Sequence, residues 1–211
     1  PFKRSCLMKI GICVPARDTV HVGFAICLAN LTASLQKNNI EYHLLVNLGT
    51  VIPQQRNTLV DEAIQVDATH ILWLDSDMHF PSTTVQQLLA HNLPIVAAAY
   101  STRLKPQRSV AFLDKDDLTN RLTKKTGVHL VFAVGMGCML VDIEVYKYVQ
   151  KPWYQYLYNK DTQDLSGEDI YFCKTAGDAG YDIYIDADLS NDIAHYGTKA
   201  FLIGETDDHS I

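Results

Sequence analysis

The chain has 211 residues, 47% of them apolar and 20% charged, which suits one folded domain and argues against a second independent core. With 18 basic residues against 24 acidic ones the formal net charge is -6, so the broad positive surface of a phosphate-backbone binder is excluded and nucleic acid enters only as an acceptor substrate. No stretch reaches the roughly 18 apolar residues that would span a bilayer.

Residues 1–8 read as an N-terminal extension or remnant, and residues 9–211 as a single domain. Lys9 to Val14 is an apolar run stopped by Pro15, which predicts a buried strand leading into the loop Pro15-Ala16-Arg17-Asp18. Phe24, Cys27, Leu28, Leu31 and Leu35 recur at helical spacing as far as Lys37-Asn38-Asn39, and a second strand follows from Tyr42 to Leu48. Leu59, Val60, Ala63 and Ile64 mark a second helix. Ile71 to Leu74 then carries no polar alternation, as expected of a strand covered on both faces. Ser82, after Pro81, is placed to cap a helix bearing Val85, Leu88 and Leu89, and Pro94 to Tyr100 forms a fourth apolar strand. This alternation predicts an α/β fold: a mostly parallel central sheet, helices on both faces, and ligands beyond the carboxyl ends of the strands.

Between Ser101 and Gly127 the pattern breaks and basic residues gather, among them Arg103, Lys105, Arg108, Lys115 and Arg121. The segment reads as a long functional or mobile loop, suited to a diphosphate or to solvent. Val128 to Val141 is strand-like, interrupted at Gly135-Met136-Gly137, where a bulge or a close backbone approach is expected. Asp142 to Val149 predicts a short helix. Trp153, Tyr154, Tyr156 and Tyr158 crowd one segment, either as a wall for stacking an acceptor or as anchors of a loop. Ser166-Gly167-Glu168-Asp169 opens a helix that Gly177 or Gly180 would close, Tyr181 to Ile185 alternates like a strand, and a polar tail carries His195. The five cysteines, Cys6, Cys13, Cys27, Cys138 and Cys173, are widely spaced with no CxxC pair and no secretory leader ahead of them. That predicts isolated buried thiols in a reducing, cytoplasmic compartment.

The third strand ends in Asp75-Ser76-Asp77, two carboxylates at the edge where such a sheet holds its ligands. In extended chain they share a direction, and neighbouring carboxylates repel unless a cation compensates them. Hard oxygen ligands with open positions suit Mg2+ or Mn2+, whose other positions the phosphates of a nucleotide fill. Solvated aspartates at a strand end are the plainer alternative.

Taken in order, Ile71 to Met78 with its DxD, Ser166-Gly167-Glu168-Asp169 and His195 resemble the nucleotide-sugar glycosyltransferases of the GT-A fold. Cys13 to Asp18 looks like the first nucleotide-binding loop, and Gln55-Arg56-Asn57 precedes the second helix as in small phage and bacterial members related to glycosyltransferase family 2. The resemblance implies a Rossmann-like GT-A sheet and transfer of a sugar from a nucleotide-sugar donor, a UDP-sugar, to an acceptor hydroxyl with inversion. It implies Mn2+ or Mg2+ on Asp77 and His195, with Asp75 on metal or ribose, and a donor pocket of Pro15, Arg17, Asp18, Arg56, Asp75 and Ser76. Asp169 becomes the general base, with Glu168 as its substitute.

Each role has a plainer rival. Glu168 and Asp169 also suit a helix N-terminus capped by Ser166, whose dipole would lower the Asp169 pKa. Arg17 and Arg56 suit solvent, and His195 suits a hydrogen-bonded core position. Two other classes compete. A haloacid-dehalogenase-like phosphatase would use Asp75 as nucleophile, Ser101 or Thr102, and Lys174 ahead of Gly177-Asp178. Against it stand His79, two positions after the DxD, and the short spacing from Lys174 to Asp178. The third option is a non-catalytic nucleotide-sugar-binding module.

Overall fold

A computed structural model describes residues 8–103, 105–160 and 163–197; Cys6 lies outside the described residues. In chain order the elements are β1 (Lys9–Ala16), α1 (Val22–Lys37), β2 (Glu41–Leu48), α2 (Ile52–Gln65), β3 (His70–Leu74), β4 (Met78–His79), α3 (Thr84–Ala90) and β5 (Ile95–Ala97). There follow β6 (Ala111–Phe112), β7 (Val128–Val131), β8 (Ala133–Val134), β9 (Cys138–Asp142), α4 (Val145–Tyr148), β10 (Leu157–Asn159) and β11 (Asp164–Ser166). The last are α5 (Glu168–Asp178), β12 (Ile183–Asp186), α6 (Ala187–Ser190) and β13 (Ala194–His195).

The central sheet has the order β2-β1-β3-β9-β5-β12-β7. β2 and β3 flank β1 in parallel, and β12 runs parallel to β5. The sheet is therefore mostly parallel, as its alternating apolar runs require, with helices on both faces. Ile10, Ile12 and Val14 of β1 meet Phe24, Leu31 and Leu35 of α1 and Leu88 of α3 on one side. Cys13, Ile71 and Trp73 meet Leu59, Val60 and Ala63 of α2 and Phe172 and Ala176 of α5 on the other. Each fully buried leucine or isoleucine in these layers contributes on the order of 1.5 to 3 kcal/mol.

Several expectations are corrected. Strand order, on which the alternation is silent, has β9 entering antiparallel between β3 and β5. Cys138 and Leu140 face one layer and Met139 and Val141 the other, so β9 is apolar on both faces and belongs inside the sheet. The run Val128 to Val141 is three strands, parted at Phe132 and again at the Gly135-Met136-Gly137 turn. A Cβ on Gly137 would lie 2.8 Å from the Tyr100 ring, so the backbone there passes directly beneath that ring. The basic segment after Ser101 is partly folded: Ser101 bridges Ser109, β6 pairs with β8, and Ala111 and Leu122 join the core.

Of the crowded aromatics, Trp153 and Tyr154 are core residues and Tyr156 and Tyr158 are exposed. The Trp73 indole donates to the Tyr146 hydroxyl at 2.8 Å, which in turn bonds the Tyr154 hydroxyl at 2.8 Å. Thr83, not Ser82, precedes α3, with no side-chain capping bond. α5 likewise starts after Gly167 without a side-chain cap, Ser166 being taken into β11, and Gly180 at φ +90° follows its end. The described cysteines Cys13, Cys27, Cys138 and Cys173 are all free and buried. Among the described residues no helix is long and apolar enough to cross a membrane.

Candidate active site

The carboxyl ends of β1 and β3 place three groups of polar side chains on one edge of the sheet. At the end of β3 the Met78 amide donates to the Asp75 carbonyl at 3.2 Å. Asp75-Ser76-Asp77 is thus a turn rather than extended chain, and its two carboxylates part company. Asp77 faces His195, with Oδ1 3.3 Å from Nε2, and its Oδ2 accepts from Arg103 Nη1 at 2.9 Å. His195 arrives there because β13 pairs antiparallel with β4, matching His195 to Met78 and Ala194 to His79. Burial alone would raise the Asp77 pKa, but His195 and the Arg103 guanidinium more than offset it, so the carboxyl titrates below its ordinary range.

Asp75 turns the other way. Its Oδ1 accepts from Arg56 Nη2 at 2.8 Å, and Glu168 Oε1 accepts from Arg56 Nε at 3.1 Å. Arg56 is 3% exposed, and its guanidinium lies 5.2 Å from the centre of the Trp73 ring. Burial opposes its charge; Asp75 and Glu168 more than offset that and hold the pKa above its ordinary value. The neighbours of Arg56 brace the same edge. Gln55 Nε2 donates to the carbonyls of Ala16 and Asn47, pinning the ends of β1 and β2, and Asn57 bonds the backbone of Trp153 and Tyr154. Arg56→Ala would leave two carboxylates beside an empty low-dielectric slot. It is expected to cost about 3 to 5 kcal/mol in urea unfolding at neutral pH; a loss under about 1 kcal/mol, the size of a surface pair, would contradict this.

Asp169, in the first turn of α5, is partly exposed as a residue, but its carboxyl lies deep among neighbouring atoms. Desolvation, then the charge of Glu168, pushes its pKa up to about 6. The dipole argument predicted the opposite sign; burial wins because a helix N-terminus contributes only about 0.3 to 1 kcal/mol when exposed. The carboxylate accepts from the Ile170 amide at 2.8 Å.

The remaining expected donor-pocket residues line the same edge. Pro15 is buried in register with Asn47, and Arg17 and Asp18 are exposed just beyond. The Ser76 carbonyl accepts from the His21 amide at 2.9 Å, tying the loop after Asp18 to the DxD turn. His21, Tyr100 and Tyr196 join the site with no signal in the sequence, and Arg103 is the member of the basic segment that reaches it. Arg103 was hidden among seven similar cations, and the Tyr100 ring meets His195 edge-on at 5.2 Å only through the tertiary fold. A cavity of about 800 Å³ lies elsewhere, along the outer face of α5 between Phe132, Ile170 and Tyr181. Neither Asp75, Asp77 nor Asp169 lines it, so charge and convergence rather than volume mark the candidate site. Lys174 is exposed and bonded to Asp178 at 2.6 Å, away from Asp75, which removes the lysine that a phosphatase mechanism needs.

Among the described residues no group of three or more His, Cys, Asp and Glu side chains forms a metal cage. Mg2+-type sites commonly take only one or two protein ligands plus substrate phosphates. Asp77 Oδ1 supplies an oxygen ligand of that kind and His195 Nε2 a nitrogen beside it: adjacent ligands of one such ion stand about 3 Å apart, close to the 3.3 Å observed. A cationic guanidinium already occupies the other oxygen of Asp77, and among the described residues His195 Nδ1 is buried with no hydrogen-bond partner.

No protein family and no curated protein sequence matches the chain. Its structure is similar to that of A197 from STIV, at 16% identity and TM-score 0.56 over 93% of this chain and 97% of that one. It is also similar to Drosophila β-1,4-galactosyltransferase 7 in complex with manganese, UDP-Gal and xylobiose, at 17% identity and TM-score 0.56 over 97% and 82% of the two chains. GalNAc-T7 with UDP, GalNAc and Mn2+ matches at 12% identity and TM-score 0.51, over 92% of this chain and 44% of that one. The chain has the GT-A fold.

Proposed function

We propose that this chain is a metal-dependent glycosyltransferase that moves a sugar from a nucleotide-sugar donor, a UDP-sugar, to an acceptor hydroxyl with inversion at the anomeric carbon. The observations that carry the reading are the Asp77–His195 pair at the end of β3 and, tied to the same turn through Asp75, Arg56 and Glu168, the neighbouring Asp169, whose pKa of about 6 suits a general base. The structures of similar fold that hold manganese with UDP-Gal, or Mn2+ with UDP, support the same donor chemistry. The four described cysteines, unpaired and buried, support a reducing, cytoplasmic setting.

Asp77 and His195 would hold Mn2+ or Mg2+, which when bound supplies Lewis-acid stabilisation of the departing diphosphate. Arg103 brings a second positive charge to the same spot. Pro15, Arg17, Asp18 and Ser76 would line the loop for the nucleotide, and Asp75, anchored by Arg56, would meet the ribose. Arg56 holds Asp75 and Glu168 in fixed positions, so that Glu168 is engaged and Asp169 is the carboxylate left to act. The acceptor oxygen forms its bond to the anomeric carbon as that carbon parts from the diphosphate oxygen, and Asp169 takes the hydroxyl proton.

UDP at about 100 times its dissociation constant adds about 2.7 kcal/mol to the folded state, so a rise in Tm is expected with UDP and Mn2+ together and not with UDP and EDTA. An equal rise with and without EDTA would contradict the metal-dependent reading. Binding without any sugar transfer across a panel of acceptors would leave the non-catalytic module in its place.

A further inference from the structure

His195 is carried by a two-residue strand, and two residue pairings with β4 are a slender support for a group that must meet Asp77 at a fixed point. Its neighbour Tyr196 makes far more contacts than that backbone. The Tyr196 amide donates to the Asp77 carbonyl at 2.8 Å, and its own carbonyl accepts from Arg103 Nη1 at 3.3 Å. Its ring stacks on the His21 imidazole, centroids 4.0 Å apart and planes 15° from parallel. Its hydroxyl bonds His79 Nδ1 at 3.0 Å.

The slot that receives this ring exists because residue 23 is glycine. A Cβ there would overlap the Tyr196 hydroxyl oxygen and lie 2.5 Å from Cζ. His21, the floor of the slot, is itself held twice: its Nδ1 accepts from the Gly23 amide at 3.1 Å, and its own amide donates to the Ser76 carbonyl at 2.9 Å. The N-terminus of α1, the DxD turn and the segment bearing His195 therefore meet at one side chain.

We infer that Tyr196 is a positioning residue, a latch whose ring, seated against His21, His79 and Gly23, holds His195 on Asp77 in the orientation that binds a divalent ion. The inference rests on the reading of Asp77 and His195 as the metal ligands. A tyrosine that merely covered surface would leave metal affinity untouched, whereas a latch transmits its loss to His195.

The test is Mn2+ binding to the full chain without donor, followed by the electron paramagnetic resonance signal of the free ion. Tyr196→Ala is expected to weaken Mn2+ binding about 10- to 100-fold, the usual effect of removing a group that orients a ligand. Tyr196→Phe keeps the stack on His21 and should retain most of the affinity. Gly23→Ala attacks the latch from the opposite side. It should weaken Mn2+ binding similarly in the unmutated protein, although alanine favours the helix, and should have no further effect in the Tyr196→Ala background. Mn2+ affinity within about twofold of the unmutated protein in Tyr196→Ala, or equal losses from Gly23→Ala in both backgrounds, would overturn the latch. If Tyr196→Ala does not fold, the comparison of Gly23→Ala with the unmutated protein decides alone. Asp77→Asn separates the two levels: loss of Mn2+ there with none in Tyr196→Ala or Gly23→Ala sinks the latch alone, while unchanged Mn2+ binding in Asp77→Asn overturns latch and metal reading together.

Discussion

Asp169→Asn is expected to lower turnover by about 10² to 10⁴ while leaving donor and metal binding nearly intact, since an acceptor hydroxyl is a poor nucleophile until a base takes its proton. In the unmutated protein kcat/KM should climb as the carboxyl ionises, with an apparent pKa of about 6. The same substitution is expected to stabilise the fold at neutral pH. The folded-state pKa of about 6 lies above the ordinary 3.8, so Asp169 is at its least unfavourable below pH 4 and becomes destabilising as pH rises through 6. At pH 8 the difference is about 2 to 3 kcal/mol, which asparagine would relieve. Thermal unfolding at pH 4 and pH 8 reads this directly. A helix-capping aspartate would behave in reverse: its loss would lower stability at pH 8 and leave turnover alone.

Asp77→Asn is expected to abolish the stabilisation by UDP with Mn2+, about 2.7 kcal/mol at 100 times the dissociation constant, without unfolding the protein. The side chain makes two ionic contacts, to His195 and Arg103, and both partners retain water access, so their loss should cost no more than about 1 kcal/mol. Calorimetric titration with UDP in Mn2+ and in EDTA checks it. The variant in Mn2+ should behave as the unmutated protein does in EDTA. Donor binding that is undiminished in the variant would move the metal away from this pair.

Much of the frame can be read from periodicity. Ile71 to Leu74 is a continuous apolar run, and it is a doubly covered central strand for that reason. The helical spacing of Phe24, Cys27, Leu31 and Leu35 matches the buried stripe of α1. Periodicity carries no information about which strands become neighbours, so the insertion of β9 between β3 and β5 is not legible, nor is the division of Val128 to Val141 into three strands.

The site divides in the same way. DxD at the end of an apolar strand is a local signal, but the directions of its carboxylates are not. The turn at Asp75–Met78 sends one to Arg56 and the other to His195. Arg56 looks like a solvated charge in the sequence; its partners are 19 and 112 residues away, and only the tertiary fold shows that it is buried between them. His195 is an isolated histidine in a polar tail until the pairing of β13 with β4 brings it beside Asp77. For Asp169 a local dipole argument gave the wrong sign, because desolvation depends on what packs over the carboxyl and not on its place in the helix.

The most direct measurement is the anomeric configuration of the sugar product, followed by NMR from a UDP-α-sugar donor as transfer proceeds with Mn2+ and again with EDTA. A single displacement with Asp169 as base predicts a β-linked product formed with Mn2+ and not with EDTA, and none above background from Asp169→Asn on the same time scale. An α-linked product, or equal transfer in EDTA, would contradict the account: the first removes the need for a base at Asp169, the second the need for a metal at Asp77 and His195.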